Sequence, residues 1–305
     1  MRVTTKVTRQ ASREQSAGFG GEPSAVRRGA RREPIPNLPA MSAAHERRLV
    51  FGTVADLYDG ARPTYPPALA EDVIAFAGVK PPERILEVGT GTGKATVLFA
   101  ARGFGVLGIE PSAEMAAVAR ENCARYPSIR IEETDFECWP EEPGAFGLLF
   151  SAQAWHWVSP EVGYSKARSV LREGGALAVF WNHPAWEECE LRDELAGAYR
   201  RAGYAPSSED PMYPAGEAVG VLSDRDRAMA AAAGFAQERL RAYRWSLGYT
   251  TAEYLRLMGT HSAYLVLEEE SRRALFVEVA AVIDGRGGRI TLPLLTQLYL
   301  ARAGG

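Results

Sequence analysis

Only three cysteines occur in the 305 residues, Cys123, Cys138 and Cys189, and no CxxC pair is present. Their odd number and wide spacing argue against a disulfide framework and a cysteine-bound zinc, and a reducing cytoplasm is the expected setting. The four histidines, His45, His156, His183 and His261, show no metal-ligand spacing, so no metal is expected. No apolar run approaches the roughly 18 residues that would cross a membrane. The best local stretch is Gly175 to Trp181, and no membrane partner is expected. Basic excess is lacking as well. Lys and Arg total 35 against 38 Asp and Glu, a formal net charge of −3, which disfavours nucleic acid as a partner. What is present is ordinary for a soluble globular chain of one or two domains, with 46% hydrophobic and 24% charged residues.

The charge is unevenly placed. Residues 1–40 carry eight basic side chains against three acids, Glu14, Glu22 and Glu33, and are rich in Gly, Ser, Pro and Arg. Such a segment has too little apolar surface to offset its ordering entropy, and a disordered extension is expected there. Its arginine pairs lack the apolar stretch of a twin-arginine signal; an organellar transit peptide and a nucleic-acid arm are the other functional readings. Met41 opens what reads as the start of the folded domain, over 41–305.

From there strands and helices alternate. A helix is expected from Ser42 to Tyr58, and another after Thr64-Tyr-Pro-Pro67, whose prolines suit a first turn. Short apolar runs at Arg84–Val88, Gly105–Glu110, Ser128–Glu133, Phe146–Ser151 and Gly175–Trp181 predict five strands. Between them lie helical patterns at Lys94–Arg102, from Ser112 to about Arg125, and at Pro160–Arg172. This order predicts a doubly wound, mostly parallel α/β sheet. Farther on, helices are expected at Cys189–Tyr204, Asp224–Ala233, Thr251–Met258 and Glu268–Ile283. Late strands are expected at Gln237–Trp245 and Ile290–Tyr299, with Pro293 confining the second to a sheet edge.

The chemistry begins where the first strand ends. Glu87-Val-Gly89-Thr90-Gly91-Thr-Gly93 is a glycine-rich strand-to-helix turn, the kind that lets the backbone approach a nucleotide. It matches neither the phosphate loop, which needs Ser or Thr where Ala95 stands, nor GxGxxG, which needs Gly where Lys94 stands. The second strand ends in Glu110, an acid placed to accept both hydroxyls of a ribose, in NAD or in an adenosyl cofactor. The third ends at Asp135-Phe136, a carboxylate beside an aromatic that could bind an adenine amino group and cover its ring.

These landmarks, with Gly108-Ile-Glu-Pro-Ser112, Ser151-Ala-Gln-Ala-Trp-His-Trp157 and Leu171-Arg-Glu-Gly-Gly175, resemble in order and spacing the class I S-adenosylmethionine-dependent methyltransferases, over about residues 45–302. Tyr58-Asp-Gly-Ala-Arg-Pro-Thr-Tyr-Pro66, Ala-Trp-His-Trp157 and Gly287–Pro293 bring the chain nearer to the small-molecule branch that includes trans-aconitate methyltransferase-like enzymes. The resemblance implies a Rossmann-like sheet of seven strands with the last antiparallel, and S-adenosyl-L-methionine as cofactor. It implies Glu87, Gly89, Thr90, Gly91 and Gly93 around the amino-acid part of the cofactor, Glu110 with Pro111 at the ribose, Asp135 with Phe136 at the adenine, and Ser151, Tyr58 and Arg62 nearby.

A lid is expected from 41–67 and from the region after residue 182. The acceptor pocket is expected to draw on Tyr65, Trp155, Trp157, Trp181, Tyr254 and His261. His156 is the candidate general base, or else a residue that walls the cofactor. Arg62 could pair with the cofactor carboxylate or an acidic substrate, or form a surface salt bridge. The implied acceptor is a small molecule, an organic acid or secondary metabolite. A cofactor-binding protein with a repurposed pocket and an NAD-dependent oxidoreductase are the rival classes, and a monomer and a homodimer are both compatible with the sequence.

Overall fold

The computed structural model describes residues 55–140, 142–205, 210, 212–214 and 222–304. The basic extension, His45 and most of the first expected helix lie outside the described residues.

Seven strands form one sheet in the order β3-β2-β1-β4-β5-β7-β6. They are β1 Arg84–Val88, β2 Gly105–Glu110, β3 Ile129–Glu133, β4 Phe146–Ala152, β5 Leu171–Pro184, β6 Phe235–Thr250 and β7 Arg289–Ala303. β1 to β5 pair in parallel, and β7 alone runs against its neighbours β5 and β6. The helices are α1 Ala55–Ala61, α2 Pro67–Ala77, α3 Lys94–Ala100, α4 Ala113–Asn122, α5 Pro160–Val170, α6 Arg192–Arg201, α7 Asp224–Ala232, α8 Thr251–Met258, α9 Ser262–Leu265 and α10 Glu269–Gly285.

The two-residue period of the strands sorts their side chains between two cores. Ile85, Val106, Leu148, Phe150 and Phe180 face Leu69, Val73, Phe76 and Phe99 of α2 and α3. Leu86, Val88, Leu107 and Leu149 face the other way, onto Phe136, Trp139 and the α5 residues Tyr164, Ala167 and Val170. A third core sits beside the far ends of β6 and β7. There Tyr199, Tyr254, Leu257, Tyr264, Leu275, Val279 and Ile283 gather under a helical cap with Ile290, Leu292 and Leu294.

Three expectations change. β7 is interior, not an edge, despite Pro293. Its pairing with β5 ends at Pro184–Leu294, and the Pro293 carbonyl accepts from the Ala185 amide at 2.9 Å, just past that end. In an extended chain the missing N–H of Pro293 points to the same side as its carbonyl, where β5 has already finished, so no ladder bond is lost. α5 stops at Val170, because Leu171 is extended and begins β5. α4 stops at Asn122, short of the expected end near Arg125, and Cys123 is its buried C-cap.

β1 is the switch point. From it the chain winds out to β2 and β3 on one side and later to β4 and β5 on the other. The chain leaving β1 and β4 therefore leads to helices on opposite faces, α3 and α5, and the carboxyl ends between them are where open α/β sheets form a ligand crevice.

Candidate functional site

The β1–α3 turn is built for close approach. Gly89, Gly91 and Gly93 all have positive φ (74°, 57° and 85°), and a Cβ on Gly89 would lie 2.2 Å from the Cβ of Ala154. Only glycine lets the β1 and β4 loops meet so closely. The Gly89 and Thr90 amides donate to the Ile109 carbonyl at 2.9 and 3.2 Å, and Asn122 Nδ2 donates to the Thr92 carbonyl at 2.9 Å.

Glu110, at the end of β2, clamps this turn. Its carboxylate accepts from the Gly91 amide at 2.7 Å and from the Ser112 amide at 3.0 Å, while Ser112 Oγ caps α4 by accepting from the Met115 amide. Pro111 between them is half-buried. Glu87, at the end of β1, is 0% exposed. Its Oε2 accepts the Thr96 hydroxyl at 2.5 Å, and its buried Oε1 has no hydrogen-bond partner among the described residues. Burial pushes the Glu87 carboxyl up to about 8, with the Thr96 bond opposing and the charge of Glu110 adding. Thr90 Oγ1 is likewise buried and unpartnered among the described residues. Ser151 ties β4 to β1 by donating to the Val88 carbonyl at 2.7 Å.

After β3 the chain makes one tight turn, in which the Asp135 carbonyl accepts from the Cys138 and Trp139 amides at 3.0 and 2.9 Å. Asp135 is half-buried at its start. Phe136 is buried, with the rings of Trp139 and Trp155 at 6.5 and 6.2 Å. The sequence reading did not include Lys166. This buried α5 lysine donates to the carbonyls of Glu137 (3.1 Å) and Trp139, and its Nζ lies 5.5 Å from the Phe136 ring. Glu137 in return accepts the Ser159 amide at the start of α5 at 2.9 Å. The three bonds fasten the Asp135–Trp139 turn to α5. Lys166→Met keeps the length and removes the ammonium, leaving two carbonyls without their donor. A stability loss of roughly 2–4 kcal/mol by denaturant unfolding is expected, with a several-fold weaker adenosyl ligand. A loss under about 0.5 kcal/mol would show that the staple carries little.

The loop after β4 holds Gln153 at φ 59°, a left-handed non-glycine residue anchored to the Phe180 carbonyl through its amide at 2.9 Å. A 3₁₀ turn, Trp155–Trp157, follows. Trp155 is buried against Tyr164, while His156 is exposed and Trp157 half-buried. Trp181, 7% exposed near the end of β5, donates its indole Nε1–H to His156 Nδ1 at 3.1 Å.

Arg62 follows α1. It is half-buried, its guanidinium lies 4.8 Å from the centre of the Tyr58 ring, and it donates to Thr260 Oγ1 (2.8 Å) and the Thr260 carbonyl (3.0 Å). Among the described residues no carboxylate pairs with it. Burial pulls its pKa down, and the same burial, with the charge of Arg62, holds His261 well below the ordinary imidazole value. Lys94 and Asp59 link α1 to α3 at 3.6 Å, beside the glycine turn. Tyr65 is buried edge-on to Phe180 at 4.9 Å, and its raised pKa reflects burial first, then Tyr58 and Glu87. Asn182 donates to the Thr64 carbonyl at 2.9 Å, so the α1–α2 connection lies on the sheet edge. Tyr254, by contrast, is fully buried within the cap core and its hydroxyl has no partner among the described residues.

The structure thus gathers Glu87, the glycines, Glu110 and Ser151 at one crevice edge, with His156 and Trp155 on the loop after β4 and Trp181 on β5. An open, mostly parallel sheet with acids ending β1 and β2 beside a glycine-rich turn defines a Rossmann-like, nucleotide-cofactor fold. Residues 85–175 match the methyltransferase domain family. Over that segment the chain carries a methyltransferase domain, and it is similar to methyltransferases. An uncharacterized methyltransferase of Mycobacterium tuberculosis is 34% identical over 155 residues, covering 51% of this chain and 58% of the relative. Trans-aconitate 2-methyltransferase of Deinococcus radiodurans is 35% identical over 116 residues, covering 37% of this chain and 43% of that protein. The chain therefore spans about half the length of these relatives. Phosphoethanolamine N-methyltransferase 2 of Haemonchus contortus, solved with phosphomonomethylethanolamine and S-adenosylhomocysteine, aligns with a TM-score of 0.52 at 14% identity, over 90% of this chain and 62% of that one. That likeness concerns the fold alone. Among the described residues no helix is long and apolar enough to cross a membrane, and no group of acids, cysteines and histidines is placed to hold a metal ion.

Proposed function

We propose that the chain binds S-adenosyl-L-methionine at the carboxyl ends of β1 to β4 and transfers its methyl group to a small-molecule acceptor. One observation carries this reading: a glycine turn with no room for a Cβ at Gly89 is clamped by Glu110 and backed by the buried Glu87 oxygen that has no partner among the described residues. Glu87 and the glycine turn would hold the amino-acid end of the cofactor, Glu110 the ribose, and Asp135 beside Phe136 the adenine. The cofactor supplies an already activated sulfonium methyl. The protein's part is to hold the acceptor in line and to keep water out. Trp155, Trp157, Trp181 and Tyr65 line that side, and the lid comes from 41–67 and the region after residue 182. The catalytic unit is residues 41–305, in the cytoplasm, with no nucleic acid or membrane partner.

Titration calorimetry tests the cofactor. S-adenosylmethionine and S-adenosylhomocysteine should bind and NAD should not, with equal affinity for the full chain and for residues 41–305. Heat from NAD with none from the adenosyl ligands would sink the proposal. Labelled methyl transfer to a pool of small carboxylic acids, alcohols and amines then tests the acceptor class.

A further inference from the structure

The contact between Trp181 and His156 bears on which nitrogen of the imidazole carries the proton. An indole N–H is a donor only, with no lone pair to offer a hydrogen-bond partner. At 3.1 Å from Trp181 Nε1, His156 Nδ1 must be the acceptor. A neutral imidazole has one N–H, so with Nδ1 accepting, the proton sits on Nε2. Both partners stand on firm supports. Trp181 is held within β5, in register with Gln297 of β7. His156 lies in the 3₁₀ turn between buried Trp155 and Trp157, whose ring is 4.7 Å away.

We infer that Trp181 is a positioning residue that holds His156 as its Nε2–H tautomer, so that His156 meets the acceptor as a hydrogen-bond donor rather than as the base. The inference rests on the proposed methyl transfer for its functional half and on the Trp181–His156 geometry for its structural half. In this tautomer Nε2 has no lone pair in the ring plane, and the lone pair of Nδ1 is engaged by the indole. His156 can therefore orient an acceptor lone pair beside the methyl but cannot take a proton from it. The acceptor arrives with its nucleophilic atom already unprotonated, the sulfur–methyl bond breaks as the new bond to that atom forms, and the sulfonium leaves as a neutral thioether. A general base at this position and a donor at this position make opposite predictions for glutamine, whose amide reproduces an N–H near Nε2 but is no base.

The test uses the full chain, ¹⁵N-labelled in histidine and tryptophan, at about pH 8.5, two units above the ordinary imidazole value. His156→Asn identifies the His156 signals. The expected spectrum shows His156 protonated at Nε2 and a through-hydrogen-bond coupling between Trp181 Nε1 and His156 Nδ1. Trp181→Phe, which keeps an aromatic ring and removes the N–H, should abolish the coupling and release His156 into both tautomers. An Nδ1–H tautomer in the parent, or no coupling, overturns the inference. In the methyl-transfer assay with the pooled acceptors, Trp181→Phe should lower kcat about fivefold with the KM for cofactor unchanged. His156→Ala should lose roughly 10²-fold or more, and His156→Gln should recover at least about a tenth of the parent rate. Glutamine as inactive as alanine would restore the base and overturn the donor role. If the parent transfers no methyl, the functional reading falls, and the tautomer is still decided by the coupling.

Discussion

Glu110→Ala should weaken S-adenosylmethionine binding by roughly 10²–10⁴-fold while the protein stays folded. Two hydroxyls of a ribose donating to a carboxylate make charge-assisted bonds of roughly 1.5–3 kcal/mol each, and every 1.4 kcal/mol is about a factor of ten. The structure adds a second route to the same loss. The carboxylate holds the Gly91 and Ser112 amides, so its removal loosens the glycine turn as well as deleting the ribose partner. Glu110→Gln should fall between, because one amide oxygen can still accept while the charge and the second acceptor are gone. Calorimetry gives the affinity, and circular dichroism checks that the sheet persists. An affinity within about threefold of the parent would remove Glu110 from the site.

Much of this was legible in the sequence, for local reasons. Short apolar runs marked β1 to β5, the first three ended by Gly or an acid, and the seven-strand sheet with one reversed strand followed from the resemblance. Glycines at three alternate positions announced a turn that only positive φ can make. Ser112 was readable as a cap because the helix pattern starts right after it. What was hidden depends on partners distant in sequence. Lys166 sits in an ordinary amphipathic helix, and nothing near it shows that its ammonium would reach back 29 residues to Glu137. Arg62 reaches forward 198 residues to Thr260, so the alternatives of a surface salt bridge and a ligand partner could not be weighed in advance. Pro293 misled because an interior strand tolerates proline only where its neighbour has ended, and strand ends were misjudged by several residues. Tyr254 and His261 stood at helical spacing, which marks one helix face but does not say whether a core or a pocket lies there. Tyr254 lies in the cap core, whereas His261 lies near Arg62.

Cofactor affinity should rise with pH, and Glu87 is the reason. Its carboxyl is fully buried and pushed from 4.5 up to about 8, so at neutral pH it carries a proton in the unliganded protein. The unfolded chain loses that proton near 4.5. Between the two values the folded state holds more protons, so the contribution of Glu87 to stability is greatest below 4.5 and declines as pH rises, until it levels off above about 8. Glu87→Gln removes the titration and should flatten the melting temperature across this window. A cationic group brought to the unpartnered Oε1 reverses the preference, since an adjacent positive charge favours the ionised carboxylate. Binding of S-adenosylmethionine, whose amino group is charged below about pH 7.7, must then expel the proton from Glu87. Its dissociation constant should fall about tenfold per pH unit, or roughly a hundredfold from about pH 5.5 to 7.5. Calorimetry at neutral pH in buffers of different ionisation enthalpy should count close to one proton released by the parent and none by Glu87→Gln. Equal heats in all buffers for the parent would mean that Glu87 is already ionised or lies away from the ammonium, and Glu87 would then be left with its bond to Thr96 as a purely structural role.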